Sequence, residues 1–177
     1  MKKIMFNDKY RLTEAVLDGK KTQTRRVEGP ESKGTRYQIG EIVAVAQSSK
    51  TISDNSQSDP KCAEKKAEIW KVINKFIPEN IWWNKMFTKP ELMPYQIEIT
   101  GIRREKLHDI SNEDCLAEGI FERDGKYFVP ELCERKKSTF QLFDTPQGAY
   151  AALIDKIGHN GDWNMNPEVV VYEFKLL

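Results

Sequence analysis

Stretches of β-branched or alternating character outnumber the short helical ones in this sequence, and the two kinds do not take turns. A doubly wound sheet needs strand and helix in regular succession, so the order argues against it and for an α+β chain built on a small, mostly antiparallel barrel with short helices at its rim. The strand-like segments are Thr22–Val27, Gly40–Ala46, Tyr95–Ile102 and Glu168–Leu177. In the third, Tyr95, Ile97 and Ile99 alternate with Gln96, Glu98 and Thr100, as in a half-buried strand. Leu12, Ala15 and Val16 predict a helix over 10–18, closed by Gly19 in a left-handed conformation. Ser111-Asn112-Glu113-Asp114 places a cap and, at the third helical position, an acid, a short relative of the capping box; that helix ends near Gly119. Asp124-Gly125 predicts a hairpin between Phe121 and Tyr127-Phe128-Val129. Thr145-Pro146 opens a helix that Gly158 stops, with Ala149, Leu153 and Ile157 as its inner stripe and Tyr150 and Ile154 beside it.

With 177 residues, 39% of them hydrophobic and 10% aromatic, the chain has material for one core, and the ordered segments predict a single domain over 1–177. Residues 48–93 differ in character and are expected to be an insertion. Ser48–Lys61 is a polar loop or a disordered stretch. A helix over 63–76 follows, with Ala67, Trp70 and Ile73 or Asn74 along one side. Phe76, Trp82, Trp83 and Phe87 then form an aromatic cluster broken by Pro78 and Pro90. Such a cluster is either the small core of the insertion or a platform for stacking on bases. The sequence contains no internal repeats.

No run approaches the ~18 apolar residues of a membrane span, and Ile4-Met5-Phe6 is too short for the apolar region of a signal peptide. The expected location is the cytoplasm, with no membrane partner. Cys62, Cys115 and Cys133 are far apart and the two histidines, His108 and His159, have no ligand spacing. Ordinary thiols are expected, with neither disulfide, metal nor cofactor. A net charge of +1 excludes a polycation that coats nucleic acid unselectively, so affinity for it has to come from a local patch.

That patch is Gly19-Lys20-Lys21-Thr22-Gln23-Thr24-Arg25-Arg26, with four basic residues, two threonines and no acid in eight positions. On a strand, Thr22, Thr24 and Arg26 share one face, and Gln23 and Arg25 the other. Lys21, Thr24 and Arg26 can then converge at one mouth of the barrel. Arginine offers a planar fork to phosphate or a base edge, lysine a compact charge, threonine a donor and acceptor. The segment is equally compatible with a solvated basic strand end.

Gly19-x-Lys21-x-x-Thr24-x-Arg26 resembles the G-x-K-x-x-E-x-R signature of the ASCH family, with threonine in place of the usual glutamate. Further blocks follow in the family's order: Tyr37-x-x-Gly40-Glu41-x-Val43-x-Val45; Ile97-x-Ile99-Thr100-Gly101-Ile102-Arg103; Leu107-x-Asp109-Ile110-Ser111-x-Glu113-Asp114-x-x-Ala117-Glu118-Gly119-Ile120; and Trp163-x-x-Asn166-Pro167-x-Val169-x-Val171-Tyr172-Glu173-Phe174. The last is most similar to phage and prophage members. The Arg- and Trp-bearing stretch that phage-type members place before the central strand is absent here, where Met93-Pro94 runs directly into Tyr95.

The resemblance implies a PUA-like pseudo-barrel whose cleft floor carries the signature residues, and a role with RNA. Some members resemble ribonucleases, and one small group is a metal-independent amidohydrolase of N4-acetylcytidine with a catalytic lysine, threonine and glutamate. It implies Lys21, Thr24 and Glu118 as catalytic residues, with Glu113 the other choice of glutamate, and Arg25, Arg26, Tyr37 and Arg103 as ligand contacts. As nucleophile or base, Lys21 would have to be neutral, which burial and repulsion from Arg25 or Arg26 favour. Three functions follow: a module that binds RNA or a nucleotide, a hydrolase of an acylated nucleoside or of RNA, and a non-catalytic accessory protein of a mobile element.

Overall fold

A computed structural model describes residues 1–27, 35–76, 83–130, 132, 141–158 and 162–177, with the side chains of 70–76 outside the description. The protein is mixed α+β. Its strands are β1 (Lys2–Ile4), β2 (Gln23–Arg26), β3 (Ile42–Val45), β4 (Gln96–Lys106), β5 (Phe121–Arg123), β6 (Lys126–Phe128) and β7 (Glu168–Leu176). Its helices are α1 (Leu12–Leu17), α2 (Ser49–Asp54), α3 (Pro60–Phe76), α4 (Asn112–Ala117), α5 (Pro146–Ile157) and α6 (Asp162–Met165). A five-stranded mixed sheet has the order β1-β3-β4-β7-β2, and β5-β6 form a separate hairpin. Among the described residues no closed barrel is found.

The chain divides into two compact units, Met1–Phe6 with Ile42–Glu98 and Leu177, and Asn7–Glu41 with Ile99–Leu176. In the first, β1 pairs in parallel with β3, and β3 antiparallel with the start of β4. Val43, Ala44, Val45 and Ala46 are all fully buried, which is why this strand lacks an alternating pattern. Ser48–Lys61, expected to be loop or disordered, instead contains α2. Ser48 Oγ accepts from Thr51 N at 3.0 Å and Ile52 is fully buried, so one cap and one apolar anchor suffice to order a polar stretch. The next helix starts three residues earlier than 63. Asp59 Oδ1 accepts from Lys61 N at 3.0 Å and Cys62 N at 3.4 Å, and Pro60 takes the first helical position.

The inner residues of α3 are Cys62 and Ile69, which pack with Ile52 and Leu92, while Trp83 and Tyr95 lean on the cluster. Ala67 is exposed, so the helix faces inward on a different side from the one expected. Of the expected aromatic cluster, Trp83 is half-buried in this core and Phe87 is 73% exposed. Trp82 and the side chains of Trp70 and Phe76 lie outside the description.

In the second unit, β2 pairs antiparallel with β7, matching Thr24 with Tyr172 and Arg25 with Val171. Val169, Val170, Val171 and Tyr172 are buried in succession, so β7 is covered on both faces. Thr145 caps α5 by accepting from Gly148 N at 3.1 Å, and Ala149, Tyr150 and Leu153 are its buried residues along with Pro146. Ile157, expected inside, is 42% exposed because the helix ends there, at Gly158. The hairpin turns at Asp124 and Gly125, both with positive φ, as a two-residue turn of this hand requires.

Two short helices of this unit, α1 and α4, end on a left-handed glycine. Gly19 has φ 71°, with Gly19 N bonded to Val16 O at 3.0 Å and Lys20 N to Ala15 O at 2.9 Å. Gly119 has φ 97°, with Gly119 N on Leu116 O at 2.9 Å and Ile120 N on Cys115 O at 3.3 Å. These pairs of bonds are Schellman closures. A Cβ on Gly119 would also sit 3.4 Å from Leu12 Cδ2. Gly119→Ala is therefore expected to destabilise the fold by about 1–2 kcal/mol, the cost of a left-handed non-glycine residue, measured by urea denaturation against wild type.

Candidate functional site

The two helix ends meet. Beyond Gly19 the chain is held by Lys21 N on Ala15 O, and Thr22 N then donates to Ala117 O at 2.9 Å, in the last turn of α4. Lys21 Nζ donates to the carbonyl of Glu118, the C-cap of α4, at 2.8 Å. The same nitrogen lies 2.5 Å from Glu118 Oε2. Lys21 is 2% exposed and Glu118 4%. Lys21 thus satisfies an end carbonyl of a helix and pairs with a carboxylate in one contact.

Arg25, on β2, locks the other carboxylate oxygen. Its Nη1 donates to Glu118 Oε1 and to Gln23 Oε1, both at 3.2 Å. Its Nη2 donates to Asp114 Oδ2 at 2.8 Å, and its Nε to Glu105 Oε1 at 2.8 Å. Arg103 on β4 continues the network, with Nη2 on Asp114 Oδ2 at 2.6 Å, Nε on Glu105 Oε2 at 2.9 Å and Nη1 on Glu173. Gln23 Nε2 closes it on Asp114 Oδ1 at 2.6 Å. The geometry of β2 explains the gathering, because alternate side chains Gln23 and Arg25 lie on one face together with the β7 partner Glu173.

Burial pushes the Lys21 ammonium below its ordinary value of 10.5; Glu118 opposes the shift, and Arg26 and Arg25 reinforce it. Burial raises the Tyr150 hydroxyl well above 10, and the charge of Glu118 adds to the rise. Burial likewise pushes the Cys115 thiol up to about 12. At Asp114 burial works the other way and loses: the Gln23 hydrogen bond and the charges of Arg25 and Arg103 hold its carboxyl below 3.8.

Of the residues singled out from the sequence, Lys21, Arg25 and Glu118 come together directly, and Arg103 joins them through Asp114 and Glu105. Glu113, the other choice of glutamate, is exposed. Thr24 is 6% exposed on the other face of β2, opposite Tyr172. Arg26 lies on that face too, within electrostatic reach of Tyr37, Tyr172, Arg36 and Glu118. Tyr37 meets Tyr172 edge-on at 5.1 Å, and Tyr172 Oη accepts from Arg36 N at 2.8 Å. Lys21 is tied to Arg25 through Glu118, and Arg26, on the other face of β2, also lies within electrostatic reach of it.

Sequence reasoning missed Gln23, Glu105, Asp114 and Glu173. Asp114 looked like a capping acid; Ser111 Oγ does accept from Asp114 N at 3.1 Å, but the carboxylate turns to the arginines. Its spacing of four residues from Glu118 on a helix was the signal, since it puts both acids on one side. Among the described residues no group of three His, Cys, Asp or Glu side chains is placed to hold a metal, and no helix is long and apolar enough to cross a membrane. Compared with known protein families, curated proteins and solved structures, the chain matches none.

Asp114→Asn is expected to cost about 1.5–3 kcal/mol at neutral pH, since hydrogen bonds to a charged acceptor are lost. A carboxyl whose folded pKa is depressed contributes stability above its unfolded value and loses it as pH falls through the folded value. The gap between wild type and variant should therefore shrink below pH 3.8, read from urea melts across the acid range.

Proposed function

We propose that this chain is an ASCH-type protein of PUA-like pseudo-barrel fold, carrying an insertion over 48–93. In this reading it takes a nucleotide-sized ligand at Lys21 and Glu118 and processes it as a metal-independent amidohydrolase of an acylated nucleoside. The observation that carries the reading is the buried contact of 2.5 Å between Lys21 Nζ and Glu118 Oε2. A neutral amine has two N–H bonds, and Glu118 offers two acceptors, its carbonyl and its carboxylate oxygen. Neutral Lys21 can be held in place by both.

Lys21 acts as base. It takes a proton from water as the water oxygen attacks the acyl carbon, and Glu118 relays a proton to the departing amine as the carbon–nitrogen bond breaks. The products are a carboxylic acid and the free amino nucleoside. Thr24 orients the acyl group and stabilises its developing oxyanion, and Arg26 and Tyr37 hold the remainder of the ligand. Arg25 has its nitrogens committed to carboxylates and Gln23, so it does not serve to neutralise phosphates along a strand.

Arg26, on the face with Tyr37 and Tyr172, supports a second reading in which the chain binds RNA or a nucleotide without turnover. The test is an assay of purified protein on N4-acetylcytidine with and without chelator, beside Lys21→Ala and Glu118→Gln. Deacetylation indifferent to chelator and reduced about 10²-fold or more in either variant is expected. Absence of turnover overturns the hydrolase reading, and salt-dependent RNA binding that weakens in Arg26→Ala would then establish the second. The rate should also climb with pH through the lowered Lys21 value, so that kcat/KM levels off below 10.5; a limb that rises only at 10.5 or above would remove Lys21 as the base.

A further inference from the structure

Glu118 is shared between two cations of unequal character. Lys21 can release its proton; Arg25 cannot, because a guanidinium stays charged at any pH the fold survives. The two hold different oxygens, Lys21 on Oε2 at 2.5 Å and Arg25 on Oε1 at 3.2 Å. Arg25 is itself fixed at every nitrogen, on Glu105, Gln23 and Asp114. Its side chain is 1% exposed, against 23% for Asp114 and 14% for Glu105. The innermost layer thus holds two cations on one carboxylate, and the balancing acids lie further out.

We infer that Arg25 is a positioning residue for Lys21 and Glu118: its clamped fork pins Oε1 and confines the contact with Lys21 to Oε2. This rests on the reading of Lys21 and Glu118 as the working pair. The clamp makes Lys21 the group that yields a proton, since removing it leaves Glu118 and Arg25 as a neutral ion pair. Among the described residues, Arg25 and Arg26 from β2, Cys115 from α4 and Tyr150 from α5 are charged or titratable groups that face this pair. The uncharged Gln23 matters as well, since its Oε1 holds Nη1 of Arg25 and Nη2 of Arg103 together. Arginine is required because lysine lacks the planar fork that reaches four acceptors at once.

The test is the titration of Lys21, followed by NMR of its 13Cε in wild type, Arg25→Lys and Arg25→Met, a readout that needs no turnover. Loosening the clamp frees Glu118 to engage Lys21 with both oxygens. The midpoint should therefore rise in both variants, by about one pH unit or more in Arg25→Met, where a like charge is also lost. A rise in Arg25→Met alone would mean that Arg25 acts by charge through space and would overturn the clamp. So would an unchanged midpoint in both. Should the variants fail to fold, wild type gives the readout: the Nη resonances of Arg25 should stay resolved through hindered rotation, and a freely rotating guanidinium overturns the inference. If the clamp holds while N4-acetylcytidine is untouched, the function fails and the positioning role stands.

Discussion

At the junction of α1 and α4 a lysine and a glutamate are buried against each other, and the polar architecture of the Asn7–Glu41 and Ile99–Leu176 unit is arranged around that contact. Each needs the other, because either charge left alone in this interior would cost several kcal/mol. Each also depends on a backbone device. Gly19 turns the chain out of α1 so that Lys21 points at α4, and Gly119 ends α4 so that Glu118 points back. The lysine then serves the helix as well, by occupying one of its unsatisfied terminal carbonyls.

Stability does not demand such an arrangement. A buried cluster of charges can often be replaced by well-packed apolar residues without loss, and Ala149, Leu153 and Val171 show that this unit has such residues to hand. The layering of charge is the more telling feature. Lys21, Arg25 and Glu118 are nearly inaccessible, while Asp114, Arg103 and Glu173 become progressively more exposed, at 23%, 35% and 48%. A buried lysine that burial pushes below its ordinary value, beside a carboxylate, is the usual material of an acid–base site, and that is the ground for reading function here.

The other unit is organised differently. Its apolar cluster of Ile52, Cys62, Ile69 and Leu92 is small, and one polar residue ties its edges. Asp59 caps α3 through Oδ1, while Oδ2 accepts from Cys62 Sγ at 3.1 Å and from the Tyr95 hydroxyl. Burial, with the carboxylate's help, pushes the Cys62 thiol up to about 12, which keeps it a protonated donor. Composition alone marked this region as irregular because its order rests on single caps and anchors, Ser48, Ile52 and Asp59, rather than on periodic stripes.

Local chemistry was legible in the sequence. The glycine stops at Gly19 and Gly119, the caps at Ser111 and Thr145, the Asp124-Gly125 turn and the alternation of Ile97 and Ile99 act within a few residues, so their outcome is written in neighbouring letters. The face assignment within β2 followed from period two in the same way. Partners distant in the chain were not legible: Lys21 and Glu118 are 97 positions apart, and Arg25 and Glu105 are 80. Nothing local tells that Asp114 turns from its cap toward two arginines, or that Ala67 faces water while Ile69 does not. The sequence by itself determined the capped helices, the alternating strand and the glycine stops and turn, though not α2, because those depend on short-range sterics and hydrogen bonds. Only the tertiary structure decided which charges are buried together, because that depends on the packing of elements whose contacts leave no periodic trace.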